Sequence, residues 1–106
     1  MNCAFCKLEV YLPTEYAGQL MKALAEIGVG RVGDYDHCFS TTEVKGFWRP
    51  LDGADPFRGE LGKLGSAPEL KLETRLEAKL LEAALETIRK VHPYEEPVIN
   101  ILPLLS

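Results

Sequence analysis

Sixty-four positions apart, this chain carries the same pattern twice. Lys7-Leu8-Glu9 returns as Lys71-Leu72-Glu73. Ala17, Met21, Leu24 and Ile27 fall on Leu81, Leu85, Ile88 and Val91. In each half a stretch that alternates apolar and polar residues (Cys6 to Leu12, then Leu70 to Leu76) gives way to apolar residues at helical spacing. Alternation with period two predicts a strand with one face on a core, and the 3.6-residue spacing predicts a helix lying on that face. Thr14 suits an N-cap and Glu15 a first turn. Gly28 and Gly30 suit the end of the first helix, and His92-Pro93 stops the second, because proline disfavours helical backbone at the residue before it. Two such halves in tandem predict an α+β, ferredoxin-like βαββαβ sandwich. At 106 residues the chain reads as one domain, 1–106.

Between the halves, Asp36 to Thr42 and Lys45 to Arg49 predict two strands joined by a short turn. Leu51 to Ala67 is rich in Gly, Pro and Asp and predicts a loop long enough to suggest that it covers or does something. The last strand is apolar on both sides: Ile99, Ile101 and Leu105 point one way, Val98, Leu102 and Leu104 the other. Two helices cover one face of a four-stranded sheet. The other face therefore predicts a second subunit, or else residues 102–106 curling over their own sheet.

The densest polar chemistry is His92-Pro93-Tyr94-Glu95-Glu96-Pro97. The two prolines fix their own φ and hold His92 and Glu96 extended, so an imidazole, a phenol and two carboxylates sit on a stiff connector. Three other motifs compete with it. Gly28-Val29-Gly30-Arg31-Val32-Gly33 has the letters of a dinucleotide fingerprint, but its glycines follow a helix and lead into a strand, the reverse of what pyrophosphate binding needs. Cys3-Ala4-Phe5-Cys6 runs into a strand where a redox pair wants a helix N-terminus. A zinc site would want a second cysteine pair, and only Cys38 remains. Asp36 and His37 open the middle hairpin on opposite faces. His37 with His92 and Glu96 forms a candidate divalent-metal set, and Arg49 is a candidate fork for an anion or carboxylate.

The ordered set Lys7-Leu8-Glu9-Val10-Tyr11-Leu12-Pro13, Gly28-Val29-Gly30, Gly33-Asp34-Tyr35-Asp36-His37-Cys38-Phe39, Phe47 to Phe57 and the His92 connector resembles a YqfO-type domain. That domain is the CutA-like insertion within the NGG-interacting-factor-like family of dinuclear-metal proteins. The resemblance covers nearly the whole chain. It implies a fold similar to CutA and to the PII signalling proteins, which form trimers. The family's metal site belongs to flanking domains that this sequence does not contain, so neither that site nor a hydrolase activity carries over. Cys3 and Cys6 lie outside the resemblance.

A net charge of −4 and the lack of a basic stripe argue against a nucleic-acid partner. No apolar run reaches the ~20 residues that span a bilayer, and Met1 to Cys6 lacks the make-up of a signal peptide, so a cytoplasmic location is expected. The functional expectation is a homotrimeric binding module with a regulatory or homeostatic role. It would hold a divalent metal ion or small ligand at subunit clefts with Asp36, His37, Arg49, His92, Tyr94, Glu95 and Glu96. The alternatives are a purely structural module, and a metal-assisted hydrolase with Glu95 or Glu96 as general base beside His37 or His92.

Overall fold

The computed structural model describes residues 3–106; Met1 and Asn2, the start of the segment tested above for a signal peptide, lie outside the described residues. Four strands and two helices follow in the order β1 (Phe5–Pro13), α1 (Ala17–Glu26), β2 (Phe39–Trp48), β3 (Gly65–Glu77), α2 (Leu81–Val91) and β4 (Ile99–Leu104). The strands form one antiparallel sheet in the order β2-β3-β1-β4. This is the expected ferredoxin-like arrangement, with the two repeat strands β1 and β3 side by side at its centre.

Register explains the core. Leu8 stands opposite Thr74 and Ile101, Val10 opposite Leu72 and Ile99, and Leu12 opposite Leu70. Alternation then turns Cys6, Leu8, Val10, Leu12, Leu72 and Leu76 to the helices, where they are buried with Leu20, Leu24, Ala84 and Ile88. Each helix is entered through a 3-10 turn, Thr14–Tyr16 and Ala78–Leu80. Thr14 is not an N-cap, contrary to the sequence expectation: it lies inside the 3-10 turn, and the cap positions of that turn and of α1, Pro13 and Tyr16, make no side-chain capping hydrogen bond.

The opposite face of β1 and β3 is ionic. Lys7 reaches Glu73 at 2.7 Å and Glu9 at 3.3 Å, and Lys71 lies 3.6 Å from both carboxylates. The hydrogen bond from Lys7 holds Glu73 below the usual carboxylate range. Arg75 lies over the Phe5 ring at 4.2 Å. This face is therefore not the uniformly apolar one expected; exposed apolar residues, Val98 and Leu102, lie at its β4 border.

The middle of the chain departs from the expected pattern. Phe39–Trp48 is one unbroken strand, and its hairpin partner is β3, registered from Phe39 opposite Thr74 to Trp48 opposite Gly65. Thr41, Thr42 and Val44 are β-branched and favour extended backbone. The strand runs straight through the short turn expected between Thr42 and Lys45, and within it Gly46 is needed for space: a Cβ there would collide with Glu69 Oε1. The loop is correspondingly shorter at its far end, since Gly65 to Ala67 belong to β3. His37 is not on the strand; it precedes β2 with φ 55°.

His92 ties the second half to the first. It leaves α2 in extended geometry (φ −68°, ψ 129°) while its backbone N–H still donates to Ile88 O at 2.7 Å. Its Nε2–H donates to Tyr11 O at 2.7 Å, and its Nδ1 accepts from Tyr94 N–H at 3.1 Å. A carbonyl only accepts and a peptide N–H only donates, so the ring must be the neutral Nε2–H tautomer. Only 6% of His92 is exposed. Burial lowers its pKa from the ordinary 6.5, outweighing the hydrogen bond to Tyr11 and the nearby Glu69.

Two outcomes follow from this packing. Replacing Leu20 by Ala empties the centre of the helix–sheet interface and is expected to cost about 2–5 kcal/mol in chemical denaturation. The unfolded chain protonates His92 more readily than the folded one. Stability from this residue is therefore full above about pH 6.5 and declines as the pH falls below it. Comparing denaturation midpoints of the wild type and His92→Gln between about pH 7.5 and 5 should show this slope only in the wild type; parallel slopes would contradict the assignment.

Candidate functional site

The residues that the sequence marks as chemical separate into two places. One is the sheet end where β1 closes and the His92 connector passes. The other is the turn before β2.

At the first place, β2 and β3 run past the rest of the sheet, and the segment 49–64 folds back on them. Trp48 pins it, its Nε1–H donating to Arg58 O at 3.0 Å. Gly59 (φ 99°) allows that approach, since a Cβ there would come within 2.9 Å of the indole nitrogen. Inside the loop, Gly62 N–H donates to Pro50 O at 2.7 Å and Ala54 N–H to Leu51 O at 3.0 Å. From outside, the Glu95 carboxylate accepts Asp55 N–H at 3.0 Å, and Arg58 pairs with Glu15 at 3.1 Å. The connector and the loop therefore order each other.

Between them lies a pocket of about 400 Å³. Rings make much of its wall: Trp48 and Phe57 flank Tyr94 with centroids 6.4 and 6.1 Å away. The buried polar residue in its lining is Glu69, 7% exposed, whose Oε2 accepts the Tyr94 hydroxyl at 2.6 Å. Glu69 stands opposite Pro13 on β3, so alternation turns it away from the helical core. Burial, reinforced by Glu69, pushes the Tyr94 phenol above its ordinary pKa, so it remains a hydrogen-bond donor. His92 stacks behind Tyr94 at 4.9 Å and accepts its N–H, which fixes the phenol's aim.

Of the expected site residues, Arg49, Tyr94, Glu95 and Glu96 are brought together around this pocket. His92 supports it from behind with both ring nitrogens occupied. Asp36 and His37 are elsewhere. β2 registers Phe39 with Thr74 and Val44 with Glu69, five residues of strand and hence about 17 Å apart. His37, His92 and Glu96 are thus not assembled as the metal set that the sequence suggested. Among the described residues no group of three or more His, Cys, Asp or Glu side chains is placed to hold a metal ion. Asp36 and His37, expected to point apart, hydrogen-bond at 3.0 Å, because the left-handed backbone at His37 breaks the strand alternation. That bond holds the Asp36 carboxyl below its usual range. Cys6 is buried in the core, and burial, followed by Cys3, raises its thiol pKa, the opposite of an activated thiolate.

Sequence reasoning missed Glu69, Phe57 and Arg58. Glu69 lies at the border of the predicted loop, and its one signal is Gly46, a glycine inside an otherwise β-branched strand. Phe57 and Arg58 lie in a loop with no periodic pattern.

No family model matches the chain. It is 43% identical over 98 residues to the GTP cyclohydrolase 1 type 2 homolog of Bacillus subtilis, covering 92% of this chain and 26% of that protein. The Mycobacterium leprae protein of the same description is 34% identical over 99 residues, again with 26% of its length covered. The chain therefore spans about a quarter of the curated relatives it matches. Among solved structures, a Bacillus cereus protein related to NIF3 superposes with a TM-score of 0.84 at 30% identity, covering 97% of this chain and 26% of that one. The periplasmic divalent cation tolerance protein CutA from Archaeoglobus fulgidus gives 0.72 at 17% identity, covering 96% and 85%, a likeness of fold. The chain is a CutA-like domain of the kind carried within the NIF3-related GTP cyclohydrolase 1 type 2 homologs.

Proposed function

We propose that this domain is a small binding module that takes an organic ligand in the pocket between the 49–64 segment and the His92 connector, in a regulatory rather than catalytic role. The observation that carries this reading is the buried Glu69–Tyr94 pair at the base of an aromatic-walled pocket of about 400 Å³. That volume and make-up, mostly apolar with a few placed polar groups, are those of small-molecule sites. Self-association, as a homotrimer, belongs to the same proposal. Exposed Val98 and Leu102 along β4, beside the ionic face, offer a border that a second copy would cover. Val98 also lines the pocket, so the ligand site would lie next to a subunit boundary.

A hydrolytic role for Glu95 has less support, because its Oε2 is engaged by the Asp55 amide. The cyclohydrolase name belongs to relatives about three quarters of whose length lies outside the match.

A thermal-shift screen with neutral, anionic and cationic metabolites, and with divalent ions alone, tests the ligand reading. The expected outcome is stabilisation by an organic compound that is lost in Gly46→Leu, whose side chain must displace Glu69. Stabilisation by divalent ions alone, undiminished in that variant, would count against it. Light scattering tests the assembly: three chain masses are expected for the wild type, and a smaller mass for Leu102→Glu. A monomeric wild type would remove the homotrimer from the account.

A further inference from the structure

The pocket's charge pattern narrows the ligand class. Glu69 is only 7% exposed, and a carboxyl group is costly to bury without a counter-charge. Among the described residues none of the ion pairs involves it. Its hydrogen-bond partner is the neutral phenol of Tyr94, and the imidazole next to that phenol is held neutral by its two hydrogen bonds. Two further carboxylates, Glu95 and Glu96, line the same pocket. Of the two cations in the lining, Arg58 is already paired with Glu15, and Arg49 is exposed. The site is therefore acidic, with a buried carboxyl that none of the ion pairs among the described residues involves.

The walls suit the same charge. Aromatic faces attract cations, most strongly where water is excluded. Rings at this site already do so within the chain: the Arg58 guanidinium lies 5.2 Å from the Phe57 centroid and the Lys45 ammonium 5.5 Å from that of Phe47. Both rings line the pocket, as do Trp48 and Tyr94. An aromatic wall over a buried carboxyl gives a positive group charge attraction from below and ring contact from the sides.

We infer that the pocket selects a small organic cation, an amine or quaternary ammonium compound, seated over Glu69 among Trp48, Phe57 and Tyr94. This rests on the proposal that the pocket is the ligand site. Glu69 supplies the charge that distinguishes the cation from a neutral molecule of the same shape. Tyr94 holds Glu69 in place, and the connector holds Tyr94.

Trp48 is the single tryptophan of the sequence, so its fluorescence reports on this wall directly. The full chain is titrated with choline, with its neutral isostere 3,3-dimethylbutan-1-ol, and with acetate. Choline is expected to shift Trp48 emission and to bind at least about tenfold more tightly than the neutral alcohol, with acetate inert. Glu69→Gln keeps a partner for the Tyr94 hydroxyl and is expected to remove the preference for choline over the alcohol. Equal binding of choline and the alcohol, a preference for acetate, or full choline affinity in Glu69→Gln would overturn the cation assignment and leave the pocket standing as a ligand site. If none of the three probes moves Trp48, the cation assignment also falls, and the thermal-shift screen then decides separately whether the pocket binds anything. The wild-type comparison among probes needs no variant, so a misfolded Glu69→Gln would not remove the test.

Discussion

A neutral imidazole between two backbone groups holds the parts of this domain in relation to one another. His92 donates its one ring N–H to the carbonyl of Tyr11, on β1, and accepts the amide N–H of Tyr94, on the connector to β4. Those two bonds fix where α2 ends, how the chain turns toward the sheet edge and where the Tyr94 phenol points. Tyr94 then reaches Glu69 on β3, and Glu95 reaches the loop amide of Asp55. Removing the imidazole would leave two backbone groups without partners in a nearly dry site. A side chain that looks catalytic in sequence is thus structural in its own contacts and acts on the pocket only through its neighbours.

The division of the sheet into two chemically different faces follows from the repeat. Both central strands carry the same Lys-Leu-Glu core, and antiparallel pairing sets Glu9 against Glu73 while each lysine sits diagonally between opposite charges. The apolar members of the same triplets face the helices. The likeness to CutA is therefore a likeness of architecture that this chain reaches through its own alternation. The site is built where that regularity ends, on the overhang of β2 and β3 and the loop between them.

How much could be read beforehand divides along the same line. The strands Cys6 to Leu12 and Leu70 to Leu76, both helices, and the stop at His92 were legible because burial on one face imposes a period, and proline a boundary. The middle was not. A short turn was expected between Thr42 and Lys45, yet the strand runs through it, because its partner is the distant β3 and not a neighbouring segment. Gly46 inside that strand makes room for the Glu69 side chain, and nothing local in the sequence names that neighbour. The connector was legible as a site of polar side chains, and Arg49, Tyr94, Glu95 and Glu96 do meet there. Pairing His37 with His92 failed because proximity was assumed from residue type, while strand register places the two at different levels of the sheet. Glu69 left only the indirect signal of Gly46, because its role comes from tertiary contacts.

The central claim is that ligand binding occurs at the sheet end organised by Glu69 and Tyr94. Amide and indole chemical-shift mapping of the labelled domain, during titration with whichever organic compound stabilises it most, tests this directly. The account predicts the largest shifts at the Trp48 indole, the Tyr94 amide and the Asp55 amide, with Asp36 to Cys38 unmoved. Shifts centred on Asp36 and His37, with the Trp48 indole unmoved, would contradict it.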